Sequence, residues 1–290
     1  MINRAATPPA LKRVLHAGSR TLGRLSSRSR LLPGFLIMGG QRCGTTSMYR
    51  ALSQHPAVLK AVLHKGVHYF DTSYHRGAAW YRAHFPLGRT ARAVRRRTGV
   101  EPVTFESSPY YLYHPSAAER IASDLPDVRL IVLVRDPVER AYSQHAHEVA
   151  RGFETVLDFE QALSLEQTRL AGEALRLRHD PLYHSHSHRH HGYRDRGHYI
   201  DYLEPLASLF GRDRIHVVDS AMFFTAPKRV YSDVLQFLGL PDLGSPAFEQ
   251  HNARPRSPMS NSLRRRLEEH FRPYDERLET WLGHCPSWRQ

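Results

Sequence analysis

The chain has 290 residues, 41% hydrophobic and 24% charged, enough to bury one sizeable core in an ordinary globular domain. An excess of 41 Lys and Arg over 28 Asp and Glu gives a net charge of +13 and selects an anionic partner: nucleic acid, anionic lipid, a nucleotide, or a sulfated or acidic glycan. The only two cysteines, Cys43 and Cys285, argue against a disulfide framework, and no run approaches the ~20 apolar residues of a membrane helix, so a reducing, cytoplasmic setting is expected.

Residues 1–32 carry Arg4, Lys12, Arg13, Arg20, Arg24, Arg28 and Arg30 with no acid among them and no continuous apolar segment. They read as a basic N-terminal tail, with contact to an anionic membrane surface as its sharper use. Residues 33–290 read as one domain. It opens with the apolar run "GFLIMGG", a glycine turn, and "TTSMYRALSQHP" at helical spacing. Gly39 and Gly44 keep the spacing of a phosphate loop, G-x-x-x-x-G-K-[ST], but Thr45 stands where the lysine belongs.

Next, "VTFESSPYYL" predicts a buried strand and a loop, and "HPSAAERIASDLP" a helix. "VRLIVLVRDP" predicts a strand with Arg135 at its carboxyl end, and Pro137 starts a helix that Gly152 closes. Helical periodicity then covers 157–177 and "YRDRGHYIDYLEPLASLFG". "RIHVVDS" is a strand and "APKRVYSDVLQFLGL" a helix. The C-terminal "SNSLRRRLEEHFRPYDERLETWLG" is an amphipathic helix expected to break or kink near Pro273. Strands alternating with helices predict an α/β, three-layer fold with a central, mostly parallel sheet flanked by helices. In such sheets ligands sit at the carboxyl ends of the strands, where the glycine loop, "ESSPYY" and Arg135 would converge.

A glycine turn at a helix N-terminus offers backbone N–H groups and a positive dipole end to a phosphate, whatever the side chains. Without the lysine, the loop suits one 5′-phosphoryl group better than a magnesium triphosphate. Arg42 is the nearest cation, and Thr45, Thr46 and Ser47 add hydroxyls. "RDPVERAYSQH" supplies a second anion site, with Ser143 two helical turns beyond Arg135. The pair fits a nucleotide with phosphates at both ends. A P-loop nucleotide kinase is the competing enzyme reading, opposed by the missing lysine and by the lack of a carboxylate for magnesium. A basic nucleic-acid-binding protein is the other competitor, and it has only net charge in its favour.

"FLIMGGQRCGTTSMYRALSQHP", "VHYFD", "RGAAWYRAHFP", "ESSPYYLYHP", "LIVLVRDPVERAYSQHAHEVARG", "RGHYIDYLEPL" and "VLQFLGLP" together resemble the successive blocks of sulfotransferases that use 3′-phosphoadenosine-5′-phosphosulfate (PAPS). The likeness covers about residues 33 to 282 and is strongest to the carbohydrate branch that includes heparan sulfate sulfotransferases. It implies a P-loop-like fold, PAPS as donor without a metal, and a hydroxyl or amine of a carbohydrate or glycolipid as acceptor, with no nucleic acid. By that resemblance Gln41, Arg42, Cys43, Gly44, Thr45, Thr46 and Ser47 form the 5′-phosphosulfate loop. Arg135 and Ser143 take the 3′-phosphate, and Tyr199, Arg254 and Arg256 close over the nucleotide.

One departure stands out. Relatives carry a glutamate, thought to take the acceptor proton, just before the hydrophobic residue and histidine of "E-V-H-F-F-D"; here that place is Gly66. His68, with an ordinary pKa of about 6.5, is the candidate base, and Glu106 is the alternative, unless Glu106 orients Arg42 or a loop amide. The family lysine of "E-K-[ST]-P" is Ser107 here, so Lys65 or Arg42 would supply its cation, and Asp71 resembles a substrate contact. The stretch 179–199, rich in histidine, reads as a polar loop near the acceptor cleft rather than a metal site. Trp80, Tyr81 and Phe85 read as core or lid packing, and the two "RRR" runs as solvated charge, the first of them alternatively bordering a channel for an anionic acceptor.

Overall fold

Five apolar segments form one all-parallel sheet in the computed structural model, which describes residues 26–249 and 258–290. The strands are β1 (Phe35–Gly39), β2 (Val58–Lys60), β3 (Val103–Ser107), β4 (Arg129–Val134) and β5 (Ile215–Asp219), in the spatial order β2-β3-β1-β4-β5. All of β1 is buried, as is β4 beyond Arg129, which is why both read as unbroken apolar runs rather than alternating ones. Phe35 pairs in register with Phe105 on one side and with Arg129 on the other, and the two phenyl rings stack at 4.7 Å. That register sets the carboxyl ends of β3, β1 and β4 side by side. The expected convergence of three loops therefore occurs on three adjacent strands.

Helices join and flank the strands. They are α1 (Thr45–Leu52), α2 (Ala78–Arg82), α3 (Gly88–Thr98), α4 (Ala117–Asp124), α5 (Pro137–Ala150), α6 (Phe159–Leu170), α7 (Glu173–His179), α8 (His186–His190), α9 (Tyr199–Phe210), α10 (Ser220–Thr225), α11 (Pro227–Leu238) and α12 (Asn261–Leu282). Pro137 occupies the first turn of α5, and the Asp136 carboxylate caps it by accepting from the Val138 and Glu139 amides. A second, smaller apolar cluster joins α5, α6 and α12 through Val138, Phe159, Leu163, Leu267 and Phe271. Phe271 is fully buried there, so its truncation to alanine would cost about 3–5 kcal/mol.

Four local expectations change. The strand β2 has only three residues and escapes any periodicity test, so "ESSPYY" follows the third strand and Arg135 the fourth. The single helix expected over 157–177 is two, α6 and α7, because the chain leaves helical geometry at Ala171 and Gly172. Residues 193–198 precede α9 instead of belonging to it. Helix α12 runs unbroken past Pro273, since its buried stripe of Leu263, Leu267, Phe271 and Leu278 keeps it on the domain.

Trp80, Tyr81 and Phe85 are buried, with Tyr81 stacked on Tyr69 at 4.6 Å, and the Arg95–Arg97 run is the exposed last turn of α3, where cations suit the helix dipole. No helix among the described residues is long and apolar enough to cross a membrane. The basic tail before residue 26, and Arg254 and Arg256, lie outside the described residues.

Candidate active site

A cleft of about 630 Å³ opens over the carboxyl ends of β1 and β3. Its floor is the glycine turn and the start of α1: Gln41, Arg42, Thr45 and Thr46 line it. Gly44 is the N-cap of α1 at φ +88°, a left-handed conformation that glycine adopts without strain, and it turns the chain so that the first helical amides face the loop's mouth. Cys43 is buried beneath, its Sγ 3.5 Å from the Tyr199 hydroxyl, and burial pushes its thiol pKa up, so only its backbone is available to a ligand. Ser47 is likewise buried.

The cation over the loop is Lys65, from the segment after β2. Its Nζ donates to Thr46 Oγ1 at 3.0 Å and to Thr45 Oγ1 at 3.4 Å. Burial, helped by the nearby Arg50, lowers its pKa to about 8. The lysine missing from the glycine motif is thus replaced in space by one twenty residues later.

Arg42 takes a different place. At φ +70° its side chain turns toward α5, where Nε donates to Ser143 Oγ at 3.1 Å and Nη1 lies 3.4 Å from His147 Nδ1. Arg135 Nη1 donates to the Arg42 carbonyl at 3.5 Å. The two segments expected to hold the donor's phosphates therefore touch each other through Arg42, although Arg135 and Ser143 lie just outside the cleft lining.

His68 lines the cleft opposite. Its Nδ1–H donates to Asp71 Oδ2 at 2.7 Å, leaving Nε2 as the ring atom without that tie. Burial alone would lower the imidazole pKa, but the hydrogen bond and charge of Asp71, with Glu106 behind, raise it overall. The His68 backbone, at φ +54°, is pinned by its N–H donating to Ser108 Oγ at 3.1 Å. Asp71 is buried and its carboxylate, held below the usual range by His68 against the opposing effect of burial, does not reach the cleft. Its contacts are to His68 and Thr72, at the position where the resemblance implies a substrate contact.

Glu106 does not line the cleft either. It is fully buried, accepting from Val67 N–H (2.6 Å), Ser108 Oγ (2.7 Å) and Tyr111 OH (2.9 Å), and burial raises its pKa. Of the alternatives weighed for it, orienting a loop amide is the one its contacts match. Tyr199 is buried as well, its hydroxyl donating to the Arg135 carbonyl at 2.9 Å, so it braces the loop from below and does not line the cleft.

The chain belongs to the sulfotransferase family. A family model, the sulfotransferase domain, matches residues 32–255. The human heparan sulfate glucosamine 3-O-sulfotransferase 6 is 31% identical over 89% of this chain and 74% of its own length. The membrane-associated sulfotransferase kil1 of Dictyostelium discoideum is 24% identical over 89% of this chain and 67% of its own. A human bifunctional heparan sulfate N-deacetylase/N-sulfotransferase is 27% identical over 72% of this chain, which spans only 22% of that larger protein. Among solved structures, a sulfotransferase from Alicyclobacillus acidocaldarius superposes with a TM-score of 0.66 at 27% identity, covering 90% of this chain and all of that one.

In this sulfotransferase, Gly66 is not an open place waiting for an acid. A Cβ there would lie 2.6 Å from the Ser107 carbonyl oxygen and 2.8 Å from Ser108 Oγ, with His68 Nε2 at 3.4 Å. A backbone oxygen at 2.6 Å leaves no room for any side chain unless the end of β3 moves. The histidine ring borders the space into which a residue-66 side chain would project.

The far wall was not anticipated residue by residue. His147 and Glu148 come from α5, Arg151 from its C-cap, and Arg189, His190 and Arg196 from the histidine-rich stretch. Ser143, His147 and Arg151 recur every four residues, so they follow one face of α5 and its C-cap; that spacing was the available signal. Gln41 Nε2 donates to Glu148 Oε1 at 3.2 Å, Arg196 Nη1 contacts Gln41 Oε1, and Glu148 Oε2 lies 2.8 Å from His190 Nδ1. Arg151 sits over Phe153 at 4.6 Å and Arg189 over Tyr110 at 5.9 Å, neither with a carboxylate partner among the described residues. His188 is buried against Tyr113, which lowers its pKa to about 3, and no group of three or more metal-ligating side chains gathers among the described residues.

Proposed function

We propose that this sulfotransferase moves a sulfuryl group from PAPS to a hydroxyl or amine of an anionic carbohydrate, free or as a glycolipid headgroup, with His68 as the base. The observation that carries the reading is that His68 Nε2, the Lys65 ammonium and the start of α1 all face one cleft. When bound, the donor supplies a sulfuryl group joined to a 5′-phosphate. The glycine turn fits a phosphate of that kind: it presents first-turn amides at a dipole end, two threonine hydroxyls and a lysine above them, without a carboxylate pair for magnesium.

His68 accepts the proton of the acceptor group at Nε2, and the resulting imidazolium is stabilised by the Asp71 carboxylate on Nδ1. Lys65 and the α1 amides offset negative charge that grows on the 5′-phosphate side. Arg135 and Ser143 are assigned to the 3′-phosphate, with Arg42 joining their site to the loop. Opposite, Arg151 and Arg189 on aromatic faces suit a saccharide carrying carboxylate or sulfate. The heparan sulfate sulfotransferases among the relatives support a carbohydrate acceptor.

Calorimetric titration with adenosine 3′,5′-bisphosphate, Mg-ATP and a random DNA duplex separates the competing readings. Tight, magnesium-independent binding of the bisphosphate alone is expected. Binding of Mg-ATP with no preference for a 3′-phosphate would overturn the donor assignment. A screen of acidic and neutral saccharides with radiolabelled PAPS then identifies the acceptor.

A further inference from the structure

Arg135 shares a carboxylate with another arginine. Its Nη2 lies 3.7 Å from Glu139 Oε2, one turn along α5, while Glu139 Oε1 is in direct contact with Arg264 Nη2 from α12. Arg264 also reaches Asp136 Oδ2 at 3.7 Å and Glu268 Oε1 at 3.9 Å. Asp136 is committed to capping α5 through its other oxygen. Glu139 thus lies between two guanidiniums, and the closer contact, hydrogen-bonded rather than merely near, goes to Arg264. Without Arg264, Glu139 loses that α12 contact while it stays one turn from Arg135.

We infer that Arg264 is a positioning residue for the donor: by engaging Glu139 it keeps the Arg135 guanidinium available to a 3′-phosphate. The inference rests on the assignment of Arg135 given above. It also gives a role to the first residue of an "RRR" run that the sequence reads as solvated charge. Arg266, by contrast, pairs with Glu160 at the surface. A purely structural tie between α5 and α12 would alter thermal stability, whereas competition for Glu139 alters the preference for a 3′-phosphate.

The test compares dissociation constants for adenosine 3′,5′-bisphosphate and adenosine 5′-monophosphate by calorimetry. Wild type, Arg264→Met, Glu139→Gln and the double variant are measured. Arg264→Met is expected to lose about fivefold of the bisphosphate preference, the size of a partly exposed ion-pair effect, with monophosphate affinity unchanged. Glu139→Gln alone should raise the preference, and the double variant should match Glu139→Gln rather than Arg264→Met. An unchanged preference in Arg264→Met, or no recovery in the double variant, would overturn the inference. Should Arg264→Met fail to fold, Glu139→Gln decides: a preference that does not rise refutes the competition. A wild type that binds both nucleotides equally would instead remove the Arg135 assignment itself, and the inference with it.

Discussion

Lys65 makes the account quantitative. Its ammonium, half-buried above the threonine hydroxyls, has a pKa of about 8 because burial, reinforced by Arg50, disfavours its charge. In the donor-free enzyme it is then about nine-tenths charged at pH 7 and about one-tenth charged at pH 9. If that charge holds the donor's 5′ side, kcat/KM for PAPS falls roughly tenfold between those values. The basic limb of kcat lies higher, since a bound anion raises the lysine's pKa. Initial rates with radiolabelled donor across pH 6 to 10 give both limbs. Lys65→Arg, charged throughout, should lose the limb in kcat/KM, and Lys65→Met should be weak at every pH without it. A kcat/KM for PAPS that stays flat to pH 9.5 in the wild type, or a limb that persists in Lys65→Met, would refute this role.

Three further outcomes follow from the same contacts. Asp71→Asn removes the charge that raises the His68 pKa, so the acid limb of kcat/KM for the acceptor should move to lower pH while turnover drops; a limb that stays put would separate the two residues. Gly66→Glu should unfold at lower temperature and fail to restore turnover to His68→Ala, because its Cβ meets the Ser107 carbonyl; recovery of activity in that double variant would show that the site accepts the glutamate. Glu106→Gln replaces an acceptor of three donors by an amide that cannot satisfy them all, costing roughly 1–3 kcal/mol and lowering the melting temperature. Full stability with lost turnover would return Glu106 to the role of base.

The frame of this site was legible because its signals are local. An apolar run, a glycine turn and a helical pattern fix β1, the loop and α1, and the "RDP" sequence fixes the end of β4 and the cap of α5. What the sequence concealed is direction. Nothing in "GGQRCGTT" tells that Arg42 turns away at positive φ to meet Ser143, or that Lys65 crosses to the hydroxyls Arg42 leaves. Glu106, Asp71 and Tyr199 lie close to the cleft, but each is buried and its polar contacts go to neighbouring residues. The strand β2 is too short to carry a pattern, and the Arg189 and Arg196 wall arises from tertiary packing of a histidine-rich stretch with no periodicity of its own.

The most direct test of the account is turnover in His68→Ala, read beside nucleotide affinity. With the base removed and the donor loop untouched, turnover should fall about 10²-fold or more while the dissociation constant for adenosine 3′,5′-bisphosphate stays near the wild-type value. Near-normal sulfuryl transfer by His68→Ala would contradict it.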